Sequence, residues 1–102
     1  MSYQDKAKAY SLEMMPKEAC GVVINDEFWP CKNVSETPTC DFELSAIDFC
    51  RLRLSKGKPQ AIFHSHPKGG KESPFDQEVC SQLKIPFHIY LVPEDKWLII
   101  NP

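Results

Sequence analysis

The sequence predicts a mixed α/β sandwich in a single domain, a mostly antiparallel sheet carrying about three helices. Three observations predict it. Helix-period and strand-period apolar patterns alternate along the chain, most strands fall within hairpin distance of the next, and 102 residues suffice for one hydrophobic core but not two. A chain of this length hides roughly 65% of the surface its unfolded form exposes, enough for a few strands and helices and too little for a long ligand tunnel.

The elements follow in order. Tyr3, Ala7, Tyr10 and Met14 recur at steps of four, three and four, which draws one apolar stripe on a helix over about residues 3–15 that Pro16 stops. The run Ala19-Cys20-Gly21-Val22-Val23-Ile24 reads as a strand, and the turn pair Asn25-Asp26 returns the chain into Glu27-Phe28-Trp29. Pro30 and Pro38 confine the stretch from Trp29 to Thr39 to edge strand and loop. Ser45 can cap a second helix on which Ile47, Cys50 and Leu54 share a face, ended by Lys56-Gly57-Lys58. Gln60-Ala61-Ile62-Phe63-His64 reads as a buried strand and Pro67-Lys68-Gly69-Gly70-Lys71 as a loop beyond it. A third helix starts at Ser73 with Phe75, Val79 and Leu83 expected inward. Residues 87–92 and 97–100, separated by Pro93-Glu94-Asp95, read as a closing hairpin.

Composition excludes several function classes. A net charge of −2 leaves no basic face to neutralise phosphates in bulk, so nucleic acid is not the expected partner. No apolar run approaches the roughly 20 residues that span a bilayer, and Met1-Ser2-Tyr3-Gln4-Asp5-Lys6 leads into charge rather than a signal segment. A soluble, cytoplasmic protein without membrane attachment is expected. Five cysteines at wide spacings, with no C-x-x-C pair, fit neither a disulfide framework nor a zinc ribbon, and are expected as buried reduced thiols.

The chemistry concentrates in His64-Ser65-His66-Pro67 and Ser73-Pro74-Phe75-Asp76. Two histidines at i and i+2 on an extended segment point to one side, with Cα atoms about 6.5–7 Å apart, so both imidazoles can converge on one ion. Pro67 keeps His66 extended. Zinc in a catalytic site takes three protein ligands and leaves a fourth position open, and Asp76 can return from the loop as the third. Each part also has an ordinary explanation. Ser73-x-x-Asp76 with Pro74 at the first helical position is a capping box, and a carboxylate that reaches back to the cap amide competes with one that binds metal. Glu18 would lead the apolar row Cys20, Val22 on one side of its strand, an odd place for a carboxylate. It is a candidate general base, with Glu13 and Glu72 as rivals that spacing cannot separate. The helix-borne His-Glu-x-x-His of other zinc proteases is absent.

These residues resemble the JAMM (MPN-type) metalloproteases: His64-Ser65-His66-Pro67, then Ser73-x-x-Asp76, with Glu18 ahead of Cys20-Gly21. The layout over about residues 3–100, including Ile85-Pro86-Phe87-His88-Ile89 after the third helix, is most similar to the N-terminal domain of lambda-like phage tail-assembly proteins. The resemblance implies a JAMM/MPN-like (cytidine-deaminase-like) sandwich and a Zn²⁺-dependent hydrolase of peptide or isopeptide bonds. In it His64, His66 and Asp76 would hold the metal, Glu18 would serve metal-activated water as general base, and Ser73 would donate a hydrogen bond to the developing oxyanion. Five residues separate Pro67 from Ser73 where the familiar eukaryotic members have six, which bears on substrate register more than on metal binding. The implied partner is a protein or peptide, such as a ubiquitin-like protein or a phage tail component, the latter placing the chain in the host cytoplasm.

Two alternatives stand beside this reading: a non-catalytic assembly or binding module of the same fold, and a processing enzyme for a bacterial ubiquitin-like sulfur carrier. Outside the motif, His88 is expected to pack in its strand, and Trp29 and Trp97 to anchor core or surface. Gly69-Gly70 would let a substrate tail approach the backbone. Lys68 and Lys71 are either solvated or suited to an acidic partner.

Overall fold

The computed structural model describes residues 2–102 and has the predicted mixed α/β architecture. Helix α1 (Tyr3–Met14) precedes the strands β1 (Cys20–Ile24) and β2 (Glu27–Cys31), followed by α2 (Ala46–Lys56), β3 (Ala61–His66), α3 (Pro74–Leu83), β4 (Phe87–Leu91) and β5 (Lys96–Ile100). The strands form one sheet in the order β2-β1-β3-β4-β5, antiparallel throughout except that β3 and β4 run parallel. A parallel pair needs a crossover, and α3 provides it.

Alternation along the strands sorts the core into two layers. Val22, Ile24, Ile62, Phe87, Ile89 and Ile100 point to the face covered by α2 and α3, where Phe49, Leu52, Val79 and Cys80 meet them. Phe28, Phe63 and Tyr90 point to the other face, under Tyr3, Ala7, Tyr10 and Met14 of α1. Asn25 and Asp26 both take positive φ, 52° and 64°, as a two-residue hairpin turn between right-twisted strands requires. Gly21 is needed for another reason: a side chain there would meet the Trp29 carbonyl and the Phe28 ring. Pro30 sits on the edge strand β2, where its missing N–H interrupts no ladder between two strands. Among the described residues no helix is long and apolar enough to cross a membrane.

Three expectations are corrected. On α2 the stripe Ile47, Cys50 and Leu54 faces solvent, Leu54 being 90% exposed, while Phe49 and Leu52 on the opposite side of the helix meet the sheet. An aromatic side chain buries the larger area, so the Phe49 face turned inward. On α3 the buried residues are Asp76 and Cys80; of the stripe Phe75, Val79 and Leu83, which is centred roughly 80° round the helix from them, Val79 packs against the core as expected while Phe75 and Leu83 are exposed. The third correction concerns the thiols. Cys20, Cys31 and Cys80 are buried, but Cys40 and Cys50 are exposed, one on the segment before α2 and the other on its outer face; all five are free.

Candidate metal centre

Strand register builds the site. His64 and His66 alternate with Ser65 on β3 and so share the α3 face, and Cys20 of β1 pairs with His64 across the sheet. Two residues earlier on β1's side, Glu18 therefore arrives beside His66. Ser65 ties the two chains at this level: its Oγ accepts from the Ala19 amide at 2.8 Å and its own amide donates to the Ala19 carbonyl at 2.9 Å. Asp76 is brought in by the start of α3. There Ser73 Oγ accepts from the Asp76 amide at 3.0 Å and Asp76 Oδ2 accepts from the Ser73 amide at 3.0 Å, a complete capping box.

The three side chains named as ligands converge. His64 Nε2 and His66 Nε2 lie 3.1 Å apart, and Asp76 offers Oδ1 to His64 and Oδ2 to His66, each at 3.3 Å. Those separations are long for charge-assisted hydrogen bonds, which run about 2.7–2.9 Å. Donor atoms held about 2.0–2.1 Å from one tetrahedral ion sit roughly 3.3 Å from each other; the two imidazole nitrogens have about that spacing, and each faces a different oxygen of the Asp76 carboxylate at a similar distance. Glu18 adds a carboxylate oxygen that lies within 4.8 Å of both histidine nitrogens. The rival bases fall outside. Glu13 is exposed on α1, on the other face of the sheet, and Glu72 is exposed in the loop before Ser73.

The electrostatics suit a cation. Burial lowers the His64 pKa despite Asp76, keeping that imidazole in the neutral form that ligates metal. His64 Nδ1 is buried without a hydrogen-bond partner, while Phe42 stacks on the ring at 4.2 Å between centroids. Nitrogen Nε2 is therefore the atom that faces a site, and Nδ1 lies against apolar surroundings. Burial opposes protonation of His66, but Asp76, Glu18 and Glu72 outweigh it and raise its pKa. Burial pushes Asp76 upward as well, and its bonds from both histidines and from Ser73 win, holding it well below the usual carboxylate range. Glu18 is pushed up to about 7, by burial first and by Asp76 and Asp41 in addition, with His66 opposing.

His66, Asp76 and Glu18 open onto a cleft of about 410 Å³ whose lining also includes Ser73, Lys68 and Phe42, with His64 fully buried behind them. Ser73, whose oxygen accepts from Asp76, retains its hydroxyl proton for a bond into that cleft. Gly69 and Gly70 take φ of 76° and 97°, and Gly70 N donates to Glu94 Oε2 at 2.9 Å, so these glycines first serve a strap from the β4–β5 turn. Lys68 and Lys71 are exposed, His88 is half-buried against Tyr3, and Trp29 and Trp97 are half-buried. Sequence reasoning missed the segment over the site. Asn33 fixes it: Nδ2 donates to the Glu18 carbonyl at 3.0 Å, and Oδ1 accepts from the Ser35 and Glu43 amides. Nothing in the linear pattern singles out Asn33 or Phe42.

With that geometry in view, the chain is 34% identical to tail tip assembly protein K of Escherichia phage N15 over 103 aligned positions, covering 96% of this chain. The chain is related to a phage tail tip assembly protein. It spans 42% of that protein's length. The solution structure of protein DSY2949 from Desulfitobacterium hafniense superposes with a TM-score of 0.65 at 20% identity, over 95% of this chain and 76% of that one, a likeness of fold. No family model matches the chain.

Proposed function

We propose that this domain is a zinc-dependent peptidase or isopeptidase of the JAMM type, acting on a protein component in phage tail assembly. One observation carries the reading: two imidazole nitrogens and a carboxylate spaced 3.1–3.3 Å apart, with a second, buried carboxylate alongside, at the floor of an open cleft. His64, His66 and Asp76 would hold the zinc, which when bound supplies water of lowered pKa and polarises a carbonyl.

The chain's own residues do the rest. Glu18, with a pKa near 7, can take a proton at one step and return it at the next, since an acid–base group works best close to the operating pH. A cation beside it would draw that value down and favour the base form. Ser73 offers its hydroxyl to a carbonyl oxygen as charge develops, where one such donor is worth on the order of 10²–10³ in rate. Phe42 covers His64 and keeps bulk water from its ring.

The test is zinc content followed by proteolysis of a peptide library, comparing the purified chain with Glu18→Gln. One zinc per chain in both, with cleavage in the wild type alone, is the expected outcome. Absence of bound zinc after titration overturns the reading, and stoichiometric zinc without cleavage assigns the domain to assembly or binding instead.

A further inference from the structure

A second cavity, of about 290 Å³, lies beside the cleft. Asp41, Phe42, Phe75 and Asp76 line both, so the chamber and the candidate metal site are neighbours that share these four side chains. Its floor is Ile62 and Phe87 of the sheet, and one side is the α3 stripe Phe75, Val79 and Leu83, which runs along the helix for about 12 Å. Phe75 is 60% exposed and Leu83 48%, apolar surface kept in water beside a site that takes a polar backbone. The charged residues that line the chamber, Asp41, Glu43 and Asp76, are all acidic.

We propose that this chamber is the specificity subsite of the domain, receiving a bulky apolar side chain that flanks the cleaved bond in a peptide segment that also carries lysine or arginine. The proposal deepens the hydrolytic reading and rests on it for the position of the cut bond. The side chains shared by the two cavities place the apolar residue near the reacting carbonyl. Charge on the rim selects the cation: Glu43 is exposed, and Asp41 has one carboxylate oxygen bonded by Ser35 and Thr37, leaving the other for a partner. An acidic residue in the same place would meet like charge.

Binding can be read without turnover, by NMR titration of the metal-chelated chain and of zinc-loaded Glu18→Gln with three end-blocked probes: Gly-Gly-Leu-Lys-Gly, Gly-Gly-Gly-Lys-Gly and Gly-Gly-Leu-Glu-Gly. Burying one leucine side chain predicts roughly tenfold or more tighter binding of the first probe than the second. Leu83→Ser and Phe75→Ala, both at exposed positions that should not impair folding, are expected to reduce that ratio to about threefold or less. Glu43→Lys should erase the preference of the first probe over the third while leaving the leucine dependence intact. Equal binding of the leucine and glycine probes, no binding of any probe, or a preference that survives both α3 variants overturns the subsite. So does a concentration-dependent self-association that Leu83→Ser abolishes, which would give the face to a second copy. If zinc is absent and the leucine preference stands, the hydrolase fails and the subsite survives. Zinc-dependent cleavage without leucine preference does the reverse.

Discussion

Asp76 should couple the stability of the fold to zinc, and the size of the effect can be worked out. A ligand that binds only the folded chain adds about 2.7 kcal/mol at a hundred times its dissociation constant. For a domain near 100 residues, each kcal/mol moves the melting temperature by about 4–8 °C, so saturating zinc should raise it by roughly 10–20 °C. Asp76→Ala removes the proposed ligand and also the side-chain arm of the capping box, which accepts from the Ser73 amide, worth about 1 kcal/mol. Asp76→Asn separates the two, because an amide oxygen still accepts from the Ser73 amide but carries no charge for the metal. In chelator, Asp76→Asn is expected to melt within a few degrees of wild type and Asp76→Ala lower. In zinc, both should lose most of the upward shift. Thermal unfolding by circular dichroism, in a Cys40→Ser, Cys50→Ser background that removes the exposed thiols, reads all arms. A wild type indifferent to zinc, or an Asp76→Asn variant with the full shift, refutes the reasoning.

Glu18→Gln should retain zinc yet lose cleavage by about 10²–10⁴-fold, and unchanged turnover would remove Glu18 from the chemistry. Gly21→Ala places a methyl against the fixed Trp29 carbonyl, and should lower stability to urea by about 1–3 kcal/mol or more. On α2, Leu54→Ser is expected to change the unfolding free energy in urea by no more than about 0.5 kcal/mol, whereas Phe49→Ala should cost about 2 kcal/mol or more; equal effects would restore the outward stripe to the core. Burial, with Asp95 adding to it, raises Tyr90 to about 12. The neutral phenol is the form the fold favours, so this contribution is complete below the ordinary tyrosine value near 10 and is lost as pH rises through about 12. Alkaline unfolding of Tyr90→Phe should therefore be less steep with pH in that window.

What was legible followed from short-range physics. Strand alternation, the Asn25-Asp26 turn and the Ser73 cap are all written within a few residues, and β3 alone puts His64 and His66 on one side. The antiparallel β1–β3 register was not readable, yet it is what sets Glu18, rather than Glu13 or Glu72, beside His66. The rotation of a helix about its axis is the other hidden variable. Both stripes of α2 are apolar enough to face a core, and only the competition between Phe49 and Ile47 for sheet surface decides. The segment around Asn33 and Phe42 carries no periodic signal at all, because its shape comes from side-chain bonds to backbone groups rather than from a repeating ladder.

From the sequence, capping and metal binding compete for one carboxylate, but the geometry of Asp76 leaves room for both. Oδ2 accepts from the Ser73 amide while lying 3.3 Å from His66 Nε2, and Oδ1 faces His64. A carboxylate oxygen has lone pairs in two directions, so the cap occupies one and leaves the other. If Asp76 binds zinc as proposed, the two roles would reinforce each other. The cap fixes the χ angles of Asp76 before any ion arrives, and the ordering cost that a free side chain would impose on binding is already met by helix formation. It also accounts for the exposure of Phe75 and Leu83: with Asp76 pointing at two histidines, the rotation of the whole helix about its axis is set. The apolar stripe is left beside the site, where it forms the wall of the second chamber.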